Sequence, residues 1–398
     1  MKITGVKTFV VDGGYRPWTF VKVETSEPGL VGWGDCSDWF HTEPVVAFVK
    51  AFGERVIGRD PLDVEAVWWF LDSFTRHEGG TAFRAMAGID SALWDIRGKA
   101  YNAPVWQLLG GKIHGMASEP RDQIRLYWSH CGTSRANRQR AERLRKKPVR
   151  TTADLRRFAE EVASAGYTAI KTNWTLKLED APDIARPADH EFNGSLPPWM
   201  RRKAETVIGI FREVLGPDVG IALDVGWALR LGGAIELARA LEPYRLMWLE
   251  TETFDAEALA LVRRSTSTPI CHGESLYGLR DFKPFLKLHA QDIIMPDLAF
   301  NGITMGKKIA DLAHAHDTLF APHNCGSPLG TLVAANVCAT VPNFLVLEFD
   351  TDDVPWRDDL MTHPFTIERG RLVLPDRPGL GSDLVEEQLV KHAGTTSV

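Results

Sequence analysis

Over the first 35 residues apolar and polar positions alternate with a period of two. ITGVKTFVV, WTFVKVET and GLVGWGD each follow this pattern, which predicts three strands, with SEPG at 26–29 as a turn. Apolar residues then recur at spacings of three and four over 43–75 and 81–101, as in AMAGIDSALWDIRGKA, which predicts helices. Residues 1–115 therefore read as an α+β unit. From residue 124 the pattern changes. Eight short apolar runs alternate with helical segments: IRLYWSH (124–130), YTAIKTN (167–173), GIALDV (220–225), LMWLE (246–250), PICHGE (269–274), DIIMPD (292–297), TLFAPH (318–323) and FLVLEF (344–349). Continuous apolar strands separated by helices predict a parallel sheet covered by helices. Eight such units predict a closed (β/α)8 barrel over 120–364. A doubly wound sheet is the competing architecture, but no glycine-rich turn follows the first of these strands.

Composition narrows the class. The chain has 398 residues, 44% of them apolar, enough for two domains. A net charge of −6 argues against nucleic acid as a partner. No apolar run approaches the roughly 18 residues of a membrane span. The start, MKITGVKTFVVDGG, reads as a first strand and not as a signal peptide. Five cysteines, at 36, 131, 271, 325 and 338, form no CxxC pair, which predicts a reducing, cytoplasmic location and no zinc cluster.

The ends of the strands carry the chemistry. They read Lys171, Asp224, Glu250, Glu274, Asp297, His323 and Glu348, spaced from Asp224 onward by 26, 24, 23, 26 and 25 residues. Each interval is one strand–helix unit, so these groups ring the end of the barrel where active sites form. Three adjacent carboxylates would repel one another, a cost that a divalent cation removes. All-oxygen ligation by Asp224, Glu250 and Glu274 suits Mg²⁺ best, with Mn²⁺ also compatible. Strand alternation puts His272 on the face of Glu274, as an outer-shell candidate. Asp297 beside His323 reads as a dyad in which the carboxylate makes the imidazole a base. Glu348 reads as an acid or as a hydrogen-bond partner of a substrate oxygen. In TAIKTNW, alternation gives Lys171 and Asn173 one face, with Lys171 offered to a substrate carboxylate. Tyr15, Arg16 and Trp18, then Trp39, Phe40 and His41, are the loop residues expected to contact the far end of a substrate. A basic run, RANRQRAERLRKKPVR at 135–150, reads as a solvated loop or subunit contact, or as an attractor of an anionic ligand.

With these residues in place, the chain resembles the enolase superfamily, in its mandelate racemase/muconate lactonizing enzyme-like branch of acid-sugar (galactonate/mannonate-type) dehydratases. The resemblance rests on AMAGIDSALWDIRGKAYNAPVWQLLGG, LDVG, WLETE, HGES, MPDLAFNG, APHN and LEFD in order, and on PFTIERGRLVLPDRPGLGSDL near the end. It implies a modified TIM barrel of (β/α)7β type, with an N-terminal α+β capping domain completed by about 365–398. It implies Asp224, Glu250 and Glu274 as Mg²⁺ ligands, and His323 with Asp297 as the base. Glu348 and Lys171 are then carboxylate contacts. Asn173 stands where a second lysine base is common, and Gly226 where galactonate dehydratases carry a histidine. One face of the α-carbon thus lacks its usual base. This favours removal of water from an aldonate or aldarate, with His323 taking the α-proton and returning it to the β-hydroxyl, to give a 2-keto-3-deoxy acid. The alternative is an epimerase/racemase or cycloisomerase using the same enediolate; a non-catalytic scaffold is the reading from another class. The expected partner is a small-molecule carboxylate, and the expected assembly a homo-oligomer.

Overall fold

The structure, a computed structural model, describes residues 1–38, 41–75, 79–113, 121–184 and 193–394. Strands β1 (Ile3–Asp12), β2 (Pro17–Thr25) and β3 (Val31–Asp35) form an antiparallel sheet in that order. Helices α1 (Thr42–Val56), α2 (Val64–Asp72) and α3 (Gly80–Ala100) follow, and α4 (Val105–Leu108) is a single turn. The glycines of GLVGWGD decide how closely sheet and helix meet. A Cβ on Gly34 would lie 1.9 Å from the carbonyl oxygen of Gly88, and one on Gly32 would lie 2.0 Å from that of Ala92. No side chain fits there, so β3 lies directly on the α3 backbone.

The barrel strands are β4 (Gln123–Trp128), β5 (Ala169–Asn173), β6 (Gly220–Asp224), β7 (Trp248–Glu250), β8 (Ile270–His272), β9 (Ile293–Ile294), β10 (Leu319–Phe320) and β11 (Leu347–Phe349). They pair in parallel in sequence order; β11 pairs with β4, and a bridge between Phe320 and Phe344 joins β10 to the run into β11. A short α5 (Arg138–Arg143) precedes α6 (Thr152–Ser164), which opens with a capping box from Thr151 and Asp154. One helix then follows each strand: α7 (Pro198–Leu215), α8 (Leu231–Ala240), α9 (Ala256–Arg264), α10 (Gly278–Lys287), α11 (Leu298–His314) and α12 (Pro328–Cys338). Among the described residues, no α-helix lies between β11 and the next strand. The eight-unit rhythm thus closes as (β/α)7β, the form the family resemblance implied, and not as (β/α)8. The chain instead turns back through β12 (Ile367–Glu368) and β13 (Arg371–Val373), and β13 pairs antiparallel with β4. The last helix, α13 (Glu386–Lys391), leads to a bridge between Ala393 and Val11 of the cap. All five cysteines are unpaired, and no helix among the described residues is long and apolar enough to cross a membrane.

The cap is bolted to the barrel through a buried acid. Asp90 on α3 accepts hydrogen bonds from Thr304 N (2.9 Å) and Oγ1 (2.5 Å) on α11, and Trp94 Nε1 donates to the same hydroxyl. Burial, helped by the charge of Glu65 and opposed by the Thr304 bonds, raises Asp90 from 3.8 to about 7. The folded state thus holds this proton more tightly than the unfolded chain. The resulting stability is complete below the unfolded value and is lost as pH rises through the folded one. Asp90→Asn should therefore gain on the wild type by roughly 1 kcal/mol per pH unit between about pH 4 and 7. Denaturant titrations across pH measure this; a difference independent of pH would contradict it.

Candidate active site

Side chains from each strand fill the barrel interior. Tyr127, Ala169, Ala222, Trp248, Ala321 and Val346 belong to one buried apolar cluster. Strand residues two apart share a face. One step nearer the mouth, the same six positions become Ser129, Lys171, Asp224, Glu250, His323 and Glu348. An apolar plug therefore supports a polar ring. Lys171, Asp224, Glu250 and Glu348 lie on strands; Glu274, Asp297 and His323 lie just beyond them, in loops.

Lys171 is 2% exposed and spans two glutamates. Its Nζ donates to Glu250 Oε1 and Oε2 at 3.1 and 3.0 Å and lies 2.9 Å from Glu348 Oε1. Burial opposes its charge, but Glu250 and Glu348 outweigh burial and hold it well above the usual lysine value. In this structure its bonds go to the protein's own carboxylates, at the end of the barrel where a substrate carboxylate was expected. Glu348 also accepts from Ser129 Oγ at 2.5 Å and from Asn324 N at 3.0 Å. Although burial acts the other way, Lys171, His323, His130 and Ser129 together drive Glu348 well below the normal range. It is held ionised, which removes it as a proton donor and leaves the hydrogen-bonding reading.

Glu250 and Glu274 behave differently. Asp224 pairs with Glu250 in the β6–β7 register, and its oxygens accept from Asn173 Nδ2 (2.6 Å) and Gly226 N (2.8 Å). Burial, then repulsion from Asp224, Glu274 and Glu348, pushes Glu250 well above the usual range against the pull of Lys171. Burial also raises Glu274, to about 7, with Glu252 and Asp224 adding and His323 opposing. Glu250 and Glu274, which resist ionisation, lie with Asp224 in a set whose donors are all oxygen, which fits a hard divalent cation.

His323 Nδ1 lies 2.6 Å from Asp297 Oδ2, and its Nε2 is 3.4 Å from Glu274 and 3.8 Å from Glu348. Asp297 also caps α11 through Ala299 N, which fixes the carboxylate. Burial disfavours the imidazolium, yet Cys325, Glu348, Glu274 and Asp297 raise His323 well above its ordinary value. This arrangement can hold a proton and pass it on.

The remaining expectations divide. Asn173 is on the inner face but is engaged, donating to Asp224 and accepting from Thr133 Oγ1 at 2.9 Å. It positions the Asp224 carboxylate, beside the place expected for substrate. A cavity of about 300 Å³ opens beside it, walled in part by Trp174 and Trp227. Tyr15 OH and Arg16 Nη2 both donate to Asp350 at 2.9 Å, so the first cap loop reaches the mouth. Trp18 is 1% exposed, part of the cap core and not of its loop. His41 caps α1 with its backbone N on Asp38 at 3.1 Å. Asp38 pairs with Arg84, whose guanidinium covers Phe300 beside the His323 ring. Trp39 and Phe40 lie outside the described residues. His272 does not face inward with Glu274. Its ring stacks on Phe285 of α10 at 4.4 Å with Nε2 on Thr253 O, and burial lowers it to about 4. The left-handed turn at Gly273 (φ 121°) breaks the alternation between them. The basic run is a solvated loop only in part: Arg138, Arg145 and Lys147 are exposed, but other members are engaged by the protein. Arg135 is 3% exposed between Asp352 and Glu161, Arg140 lies over the Tyr15 ring, and Arg143 bonds Asp12 and Gly14 O.

Sequence reasoning passed over Ser129, His130 and Asp350. The signal was present in LYWSH, because the first barrel strand ends in a polar pair as the others do, and in LEFD, where an acid follows Glu348 on the same face.

Known proteins share this fold. Residues 154–388 match the family model described as enolase C-terminal domain-like. Residues 7–110 match that of the mandelate racemase/muconate lactonizing enzyme N-terminal domain. A D-xylonate dehydratase of Haloferax volcanii is 33% identical, covering 98% of this chain and 89% of that protein. A D-galactonate dehydratase of Cronobacter sakazakii is 31% identical, covering 99% and 94%. Among crystal structures, a protein of Burkholderia xenovorans strain LB400 is 34% identical, with a TM-score of 0.90 and coverage of 99% of this chain and 96% of that one. It is provisionally named L-alanine-DL-glutamate epimerase and is bound to magnesium and fumarate. With both halves of the fold matched and full-length relatives above 30% identity, the chain belongs to the mandelate racemase/muconate lactonizing enzyme family of the enolase superfamily.

Proposed function

We propose that the protein is a Mg²⁺-dependent hydro-lyase acting on a sugar acid, an aldonate or aldarate, and releasing a 2-keto-3-deoxy acid. The observation that carries this reading is the His323–Asp297 pair, 2.6 Å apart, with the second imidazole nitrogen turned toward the carboxylate ring. Asp224, Glu250 and Glu274 are the residues that would hold the ion. When bound, Mg²⁺ supplies positive charge that offsets these carboxylates and the charge growing on the substrate carboxylate. Lys171 adds a second cation at the same end. With the charge of these carboxylates offset, His323 can give up its resting proton, and its Nε2 then takes the α-proton while Asp297 holds Nδ1 and so fixes the ring. Glu348, ionised and anchored by Ser129 and Asn324, orients the carboxylate end through hydrogen bonds. The named activities of the Haloferax and Cronobacter relatives support dehydration.

The name of the Burkholderia relative favours a second reading, epimerisation by the same enediolate. Asn173, unable to take a proton, weighs against a base at its position. The unpaired cysteines support a cytoplasmic location. Exposed Trp227 and Phe254, whose rings lie 4.8 Å apart, support a homo-oligomer. The test is a panel of aldonic and aldaric acids incubated with Mg²⁺ and scored for semicarbazone-reactive keto acid. Keto product from at least one acid is expected. Exchange of the α-proton without keto product from any acid would favour the epimerase.

A further inference from the structure

The structure contains a second histidine–carboxylate dyad at the mouth, and we propose that His130, paired with Asp350, is the acid that protonates the departing β-hydroxyl. The proposal rests on the dehydratase reading and changes one part of it, the return of the proton by His323.

His130 follows β4, and strand alternation would turn it away from Ser129 and out of the barrel. Its backbone is left-handed instead, with φ 50°. A non-glycine residue in that region is strained, and such strain persists where the surroundings demand a side-chain direction. The effect here is that Nδ1 meets Asp350 Oδ1 at 2.7 Å and lies 4.0 Å from Cys325 Sγ. Asp350 is two residues beyond Glu348, and Cys325 is two beyond His323, so both belong to the next inward layer. Cys325 Sγ also lies within 4.8 Å of a His323 ring nitrogen. The Cys325 thiol therefore lies near both imidazoles, which brings the two rings to one neighbourhood of the mouth. The His130 side chain is 15% exposed.

Charge supports the role. Burial lowers the affinity of His130 for its proton, but Asp350, with Cys325, more than compensates and raises it to about 10. The ring carries a proton at neutral pH before substrate arrives. The other groups are less suited. Glu348 is held ionised, Lys171 is bound to two carboxylates, and position 226, two beyond Asp224, is glycine. Asp350 is itself gripped by Tyr15 and Arg16, so the cap loop that covers the substrate also sets the acid.

The step balances as follows. His323 takes the α-proton, and the C–H electron pair passes into the carboxylate as an enediolate. The carboxylate re-forms as the Cα–Cβ double bond appears and the Cβ–O bond breaks. The leaving oxygen takes its proton from His130 and departs as water. The enol then loses its hydroxyl proton and gains one at Cβ, giving the keto acid, and His130 is reprotonated from solvent as His323 loses its proton.

His130→Asn is the test, since asparagine tolerates left-handed backbone. With the sugar acid identified by the panel above, the variant should keep α-proton exchange in D2O within a few-fold of wild type. Loss of water should fall by about 10²–10⁴-fold. With the 3-deoxy-3-fluoro analogue, whose fluoride needs no proton, elimination should be near the wild-type rate. Asp350→Asn, which keeps the imidazole, should show the same split in weaker form and serves if the first variant does not fold. Wild-type loss of water in folded His130→Asn would overturn the proposal and leave the dehydratase reading standing. Equal loss of water and fluoride elimination would also overturn it. Absence of keto acid from wild-type protein on every sugar acid would instead overturn the dehydratase reading.

Discussion

His323→Asn should abolish turnover and α-proton exchange in D2O together, by about 10⁴-fold or more. Asparagine can occupy the same volume and still hydrogen-bond Asp297, but it cannot take a proton. Among the described residues, the other candidate groups are engaged elsewhere. Lys171 is held by Glu250 and Glu348, and Asn173 donates to Asp224. If His130 acts only on the leaving oxygen, it does not rescue the first step. The measurement is loss of the α-proton signal in D2O, followed by NMR beside keto-acid formation. Exchange persisting in folded His323→Asn would reveal a second base and sink the assignment. The contrast with His130→Asn, where exchange survives and loss of water does not, separates the two histidines by the step each serves.

Lys171→Met should destabilise the protein by about 3–5 kcal/mol as well as inactivate it, because removing one member of a buried ionic cluster strands the others. Methionine nearly fills the lysine volume, so a cavity is not the main cause. The cost arises at Glu250 and Glu348, both 0% exposed, which would face each other without the ammonium between them. Glu348→Gln in the Lys171→Met background should recover part of the stability and none of the activity, since it removes one stranded charge and restores no cation. Added Mg²⁺ should narrow the deficit in Lys171→Met, by placing a cation against Glu250. Denaturant unfolding with and without Mg²⁺ reads all three effects. An unchanged midpoint in Lys171→Met would mean that the carboxylates relax to solvent, and that the cluster is not structural.

Much of the arrangement was legible because it depends on local periodicity. The switch from period two to alternating strands and helices marked the barrel near residue 124, and intervals of 23–26 residues predicted that Asp224 to Glu348 would share one rim. Partner choice was not legible. TAIKTNW placed Lys171 and Asn173 on one face, but nothing in it showed that the lysine would be taken by glutamates 79 and 177 residues away. His272 failed for a local reason of another kind: Gly273 takes a left-handed turn that resets which way the next side chain points. In the basic run, Arg135 looked like surface charge, yet it is buried because Asp352 and Glu161 arrive there from distant segments.

The sequence alone therefore determined the strand–helix rhythm, the family, and which residues stand at the mouth, because backbone geometry ties side-chain direction to position along the chain. Only the tertiary structure decided that Lys171 is a strut between carboxylates, that Glu348 stays ionised, and that His130 faces Asp350 and not the outer layer. Each of these depends on charges and hydrogen-bonding groups that meet only when strands far apart in sequence become neighbours. Their balance of burial and attraction exists in the closed barrel and nowhere in the linear chain.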